Sequence, residues 1–193
     1  LEETAADGSL WPTADSLGLN PVEDKHQIEN IAKAIQGRVC VLAGSPGTGK
    51  THCSAALIRA VVALVGHDKV AVAAPTGKAA VRVTEAMHNN GVNLKAGTIH
   101  SLLQVEKSGD DGWKFRFGRA RPLPFSFVVI DESSMIDTDL MSALLSARGK
   151  GTHFLFVGDP NQLAPVGHGA PLRDMIAAGI PTGTLTEIRR NSG

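Results

Sequence analysis

Residues 44–51 read Gly44-Ser45-Pro46-Gly47-Thr48-Gly49-Lys50-Thr51, and this octet decides the fold. It satisfies the pattern GxxxxGK[ST] at every fixed position. A short apolar run, Arg38–Ala43, precedes it, and residues 50–65 follow with the spacing of a helix. Glycines in such a loop let backbone N–H groups curl around phosphate oxygens, and the helix N-terminus adds partial positive charge. The Lys50 ammonium reaches β- and γ-phosphates, and the Thr51 hydroxyl is a ligand for Mg²⁺. The expected ligand is therefore ATP with Mg²⁺. The nucleotide-contacting stretch is Ser45, Pro46, Gly47, Thr48, Gly49, Lys50, Thr51 and His52. The imidazoles of His52, His153 and His168 are read as structural or surface groups.

Outward from the loop the pattern alternates. Asn20 as N-cap, Pro21 at the first helical position and Glu23 as capping-box partner predict a helix start. Ile28, Ile31 and Ile35 follow at helical spacing, and Gly37 closes the segment. Strands are expected at Arg38–Ala43, Val70–Ala74, Phe125–Ile130, His153–Val157 and Thr184–Glu187. Helices are expected at 50–65, 77–89, Thr138–Ala147 and Leu172–Ala178. Such alternation predicts an α/β fold, a parallel sheet with helices on both faces. One stretch breaks it. In 104–121, Ser108–Gly112 is turn chemistry, and Trp113, Phe115 and Phe117 then alternate with Lys114 and Arg116. This is the pattern of a small β-hairpin inserted into the domain rather than belonging to its sheet.

Composition narrows the class. At 193 residues with 42% hydrophobic and 20% charged side chains, the chain has the size and apolar content of one folded domain. No apolar run approaches the roughly 18 residues that span a bilayer, and Leu1–Leu10 lacks the basic-then-apolar order of a secretory leader. A chain starting at Leu1 reads as a fragment. Cys40 and Cys53 lack metal-ligand spacing and read as reduced, buried thiols of a cytoplasmic protein. Formal net charge is zero, but six of the 19 acids fall within residues 1–24, without a Lys or Arg. That leaves 19 basic against 13 acidic side chains in the remainder. Residues 1–20 read as an acidic linker or tail, and 21–193 as a mildly basic body suited to phosphate-rich ligands.

Two further motifs carry chemistry. Phe127-Val128-Val129-Ile130-Asp131-Glu132 is an apolar strand ending in adjacent carboxylates, at the strand edge where α/β sheets bind ligands. Asp131 would hold Mg²⁺ through water, and Glu132 would orient or deprotonate an attacking water. In Phe156-Val157-Gly158-Asp159-Pro160-Asn161-Gln162, another strand runs into a polar loop whose Gln162 can hydrogen-bond a γ-phosphate or its attacking water.

With these motifs in order, the chain resembles the first motor domain, 1A, of a superfamily 1 helicase of the RecD-like branch. The resemblance runs from about Asn20 to Asn191 and implies a RecA-like fold. Gln27 matches the glutamine that reads adenine. Ala74-Pro75-Thr76-Gly77-Lys78-Ala79-Ala80 matches motif Ia, and Thr98-Ile99-His100-Ser101-Leu102-Leu103 the next DNA-contacting motif. Val129–Met135 matches motif II, and Gly158–Gly167, with Gly169, Leu172 and Asp174, the RecD form of motif III. In Leu185–Asn191, which resembles motif IV, Arg190 aligns with the arginine that touches the γ-phosphate. The family's Phe-Arg-Gln stands here as Arg189-Arg190-Asn191, so Arg189 is the alternative. The implied catalytic set is Lys50, Glu132, Gln162 and Arg190.

The resemblance also implies single-stranded DNA or a DNA fork as partner, contacted by Pro75, Thr76, Lys78, Thr98 and His100. The hairpin then corresponds to the 1B or pin element, offering Trp113 or a neighbouring Phe to the fork. Translocation would run 5′→3′. A second motor domain, absent from this chain, would supply motifs V and VI. Two rivals are a P-loop ATPase acting on protein or as a switch, and a small-molecule kinase. The kinase leaves Gln162 and Thr98–Leu103 without a role.

Overall fold

The computed structural model describes Pro12 and residues 14–107, 113–163 and 165–188. The predicted alternation is present as α1 (Lys25–Ala34), β1 (Val39–Gly44), α2 (Lys50–Val65), β2 (Val70–Ala74), α3 (Gly77–Asn89), β3 (Gly97–Thr98) and α4 (Ile99–Leu103). It continues as β4 (Val105–Lys107), β5 (Trp113–Phe115), β6 (Phe127–Ile130), α5 (Thr138–Ser146), β7 (His153–Gly158), α6 (Pro171–Ala177) and β8 (Thr182–Leu185). Six strands pair in parallel in the order β3-β2-β6-β7-β1-β8.

β1, β6 and β7 are buried at every position, as strands covered by helices on both faces must be. Side chains alternate between the two faces. Cys40 and Leu42 of β1 pack with Leu57 of α2 and Val83 of α3, whereas Val41 and Ala43 pack with Ile99, Met141 and Leu172 of α4, α5 and α6. Phe154 and Phe156 of β7 meet edge to face, with centroids 5.8 Å apart, in the second layer.

Because the strands are parallel, their C-terminal ends share one edge. The register sets Ala43 beside Gly158 and Ala73 beside Ile130. The loops after β1, β2, β6 and β7 therefore open together, at the edge where such sheets bind ligands.

Several details depart from the sequence reading, among them β6, which begins at Phe127 rather than Phe125. The first helix begins at Lys25 rather than Pro21. Asn20 Oδ1 accepts from Val22 N and Glu23 N, and the reciprocal carboxylate on Asn20 N (2.8 Å) belongs to Asp24, not Glu23. Asp24 is buried, and burial makes its hydrogen bonding compulsory, while Glu23 stays in solvent. The last strand starts two residues early, at Thr182. It pairs with Val41–Gly44, and α1 lies so close that a Cβ on Gly183 would overlap the Asn30 carbonyl. Past Leu185 the backbone leaves the sheet, and Thr186 N donates to His26 Nε2. Finally, within the segment read as a tail, residues 14–17 form a 3₁₀ turn, and Leu17 and Leu19 are buried against α2, where Arg59 donates to Leu17 O.

The hairpin is separate from the main sheet, with Glu106 opposite Lys114 and Val105 opposite Phe115. Phe115 and Phe117 are half-buried against the core layer containing Leu103 and Leu123, while Lys114 and Arg116 are exposed. Both rings thus help fasten the hairpin to its own domain while staying partly exposed. Residues 108–112 and the Trp113 side chain lie outside the described atoms.

Candidate functional site

Gly47 and Gly49 hold φ of 82° and 85°, a region L side chains resist. A Cβ on Gly44 would come within 2.6 Å of Thr48 Oγ1 and 2.9 Å of Leu185 O. The loop closes on itself: Thr48 is buried and donates its hydroxyl to Ser45 O at 2.7 Å. Lys50 Nζ donates to Gly44 O at 2.6 Å and Ser45 O at 3.1 Å, which draws the ammonium over the loop. α2 starts here with Gly49 as N-cap, no side-chain cap and no acid in its first turn. Its first amides and its dipole face whatever enters the loop, and an anion is the complementary guest.

The loop forms one wall of a cleft of about 810 Å³. Asp131, Glu132 and Gln162 line it together with Lys50 and Thr51, so residues far apart in sequence meet in one place. A depression of similar volume between α5 and α6 shares no lining residue with it and contains neither the loop nor the paired carboxylates. Chemistry rather than size selects the cleft.

Asp131 is 9% exposed and accepts from Glu132 N through Oδ1 at 2.8 Å. Burial pushes its carboxyl up from 3.8 to about 6. The Glu132 N–H opposes that rise, the Glu132 charge adds to it, and the Lys50 charge opposes it. A carboxylate and a hydroxyl oxygen suit a hard divalent cation, and Asp131 and Thr51, which line the same cleft, are a donor pair that fits Mg²⁺.

A raised carboxyl pKa means that the fold favours the proton. The charged form costs stability above about pH 6, and the cost fades as pH falls through 6 and is gone below 3.8. Asp131→Asn is accordingly expected to raise the stability of the metal- and nucleotide-free protein by up to about 3 kcal/mol near pH 8, with the gain vanishing near pH 4. Thermal unfolding in a chelator across that range checks it; a gain that is constant with pH would refute the cause.

Glu132 has φ 53° and ψ 36°, a left-handed kink that ends β6 and starts the 3₁₀ turn Ser133–Met135. Ser134 Oγ from that turn donates to Gln162 Oε1 at 3.1 Å. Arg173 of α6 grips the same loop, donating Nε to Pro160 O at 2.6 Å and Nη2 to Gln162 O at 2.9 Å. Neither Ser134 nor Arg173 was singled out from the sequence, although Ser134 sits two residues after the paired acids.

The other expected nucleotide residues are spread. Ser45, Pro46 and Gly47 are exposed on the loop. His52 lines the cleft beside Ala86 and Asn89 of α3 and Asn90, which caps it, residues that only packing of α3 on α2 brings there and that the sequence alone does not mark. Gln27 is 2% exposed on α1 and lies outside the cleft lining. Arg189, Arg190 and Asn191 lie outside the described residues.

The residues expected at nucleic acid gather on the neighbouring strand ends. β3 pairs beside the end of β2, Ala74 opposite Thr98. The Thr76 hydroxyl caps α3 by accepting from Ala79 N, and the Thr98 hydroxyl caps α4 by accepting from Ser101 N. Lys78 is exposed and Pro75 half-buried. His100 is exposed, its ring tilted against Phe115 at 5.7 Å between centroids. Among the described residues, no helix is long and apolar enough to cross a membrane.

Comparison with known proteins agrees with this geometry. The AAA domain family matches residues 27–168. The RecD subunit of the RecBCD enzyme of Mycolicibacterium smegmatis is 40% identical over 96% of this chain and 36% of its own length. The ATP-dependent RecD2 DNA helicase of Deinococcus radiodurans is 37% identical over 80% of this chain and 20% of its own length. The chain thus spans about a third or less of these relatives. A solved Pif1 helicase structure, described with forked double-stranded DNA, shares the fold at TM-score 0.54 and 21% identity, covering 86% of this chain and 44% of that one. Since the match spans the loop, the paired carboxylates and Gln162, the chain belongs to the AAA domain family and stands with its RecD-like members.

Proposed function

We propose that this chain is the first motor domain of an ATP-driven DNA helicase, hydrolysing ATP with Mg²⁺ and coupling the cycle to movement along single-stranded DNA, 5′→3′ by resemblance. One observation carries the reading: the cleft holding Lys50, Glu132 and Gln162 opens on the same sheet edge as Thr76 and Lys78, at the start of α3, and Thr98, at the end of β3.

In the hydrolytic step, a water oxygen attacks the γ-phosphorus as the bond to the β–γ bridging oxygen breaks. Glu132 accepts the water's proton, and Gln162, steadied by Ser134, orients that water or a γ-oxygen. Lys50 offsets charge on the β- and γ-phosphates, and Arg190 or Arg189 would add to this. Mg²⁺, held by Thr51 and Asp131, would neutralise phosphate charge. Gln27 would read adenine. On the DNA side, Thr76, Lys78, Pro75, Thr98 and His100 would meet the strand, mainly through phosphates. Trp113 would stack on a base at the fork. A second motor domain would close on the cleft.

The test uses the full-length protein. ATP turnover is measured alone, with single-stranded DNA and with RNA, and then unwinding of a forked duplex. Turnover raised severalfold by DNA, with unwinding, supports the reading. Turnover indifferent to nucleic acid sinks it in favour of an ATPase acting on protein.

A further inference from the structure

We propose that Asn90 is a positioning residue for the nucleotide site, and that through it α3 links the strand-contacting loop to the cleft. This rests on the functional reading above.

Asn90 Nδ2 donates to Ala86 O at 2.8 Å, which turns Oδ1 away from its own helix and towards α2. There Oδ1 lies 2.8 Å from His52 Nδ1. A carboxamide oxygen only accepts, so His52 carries a proton on Nδ1. In the neutral ring Nε2 then keeps its lone pair. His52 directly follows Thr51 and lines the cleft. The bond therefore sets the tautomer and the plane of an imidazole at the first turn of α2.

The same residue ends α3. Asn90 N donates to Ala86 O and Met87 O, and Gly91, at φ 75°, turns the chain away. Arg59, from further along α2, reaches Asn90 O at 3.4 Å. The last turn of α3 is thus tied to α2 by a side chain and by its own backbone. The other end of α3 is the Thr76 cap at the loop proposed to meet the strand. Thirteen residues make a helix about 20 Å long, and hydrogen-bonded helix is stiff over that length. A shift at one end is carried to the other.

Full-length protein carrying Asn90→Ala or Asn90→Asp is compared with wild type for melting temperature, KM for ATP, and the ratio of DNA-stimulated to unstimulated turnover. Asp retains an Oδ acceptor for His52 and gives up the Nδ2 bond. Loss of one neutral hydrogen bond predicts that Asn90→Ala raises KM about three- to tenfold and lowers the stimulation ratio by a similar factor. Asn90→Asp restores the acceptor but adds a negative charge to the lining of the cleft, which raises KM for an anionic ligand. It should therefore bring the stimulation ratio, not KM, to within about twofold of wild type. Unchanged KM in Asn90→Ala overturns the positioning role. A ratio that stays at the wild-type value while KM rises overturns the link through α3. An equal loss of the stimulation ratio in both variants assigns the effect to the Ala86 bond and overturns the proposal, as does a lower melting temperature with KM and ratio intact. A wild-type protein that DNA does not stimulate fails the functional reading instead, and the KM comparison still decides the role of Asn90.

Discussion

Lys50→Ala is expected to abolish ATP hydrolysis in the full-length protein, by at least about 10²–10³-fold in turnover. The ammonium is the one side-chain cation among the residues described as lining the cleft, apart from what His52 carries when protonated. Phosphoryl transfer involves little covalent work by the protein, so positioning and charge neutralisation supply most of the catalysis. Among those lining residues no other side chain carries a fixed positive charge that could replace it. Lys50 Nζ also bonds Gly44 O and Ser45 O, so the substitution loosens the loop as well, and melting temperature should be recorded alongside phosphate release. A folded variant turning over within about threefold of wild type would remove the loop from the mechanism.

Glu132→Gln is expected to separate binding from turnover. Hydrolysis should fall about 10²–10⁴-fold while ATP affinity changes little. The amide has the shape of the acid without its basicity. The backbone role of residue 132, donating to Asp131 Oδ1, does not involve the side chain. Removing the Glu132 charge also removes one cause of the raised Asp131 pKa, so the Asp131 carboxylate should ionise more readily. Single-turnover hydrolysis and equilibrium binding of ATP check the two halves. If affinity collapses with turnover, Glu132 holds metal or structure, and Asp131 and Glu132 do not divide the labour as described.

What the sequence determined by itself was the local physics. Gly44–Thr51 is legible because glycines at left-handed φ, a lysine and a hydroxyl in one contiguous run meet all the local needs of a phosphate. α2, α3 and β2 match their expected limits, since periodicity and flanking Gly or Pro define them without help from distant residues. Alternation alone also implied a parallel sheet with helices on both faces, and the Trp113–Phe117 stretch implied a hairpin outside it.

Tertiary structure decided whatever depends on approach between distant segments. The capping partner of Asn20 is Asp24 because burial constrains it. β8 starts at Thr182 because Gly183 admits α1 and Thr186 turns to His26. The alternation of Phe115 and Phe117 with Lys114 and Arg116 marks one packed face, but only the fold shows that the layer beneath it is that of Leu103 and Leu123. Arg173 and Asn90 bear no motif, and Ser134 lies inside one without a role that spacing assigns; they matter because parallel strands bring their loops to one edge and α3 packs across α2. Sequence spacing records contacts within a turn of helix or a strand pair; it does not record which side chain, a hundred residues away, completes the hydrogen bond.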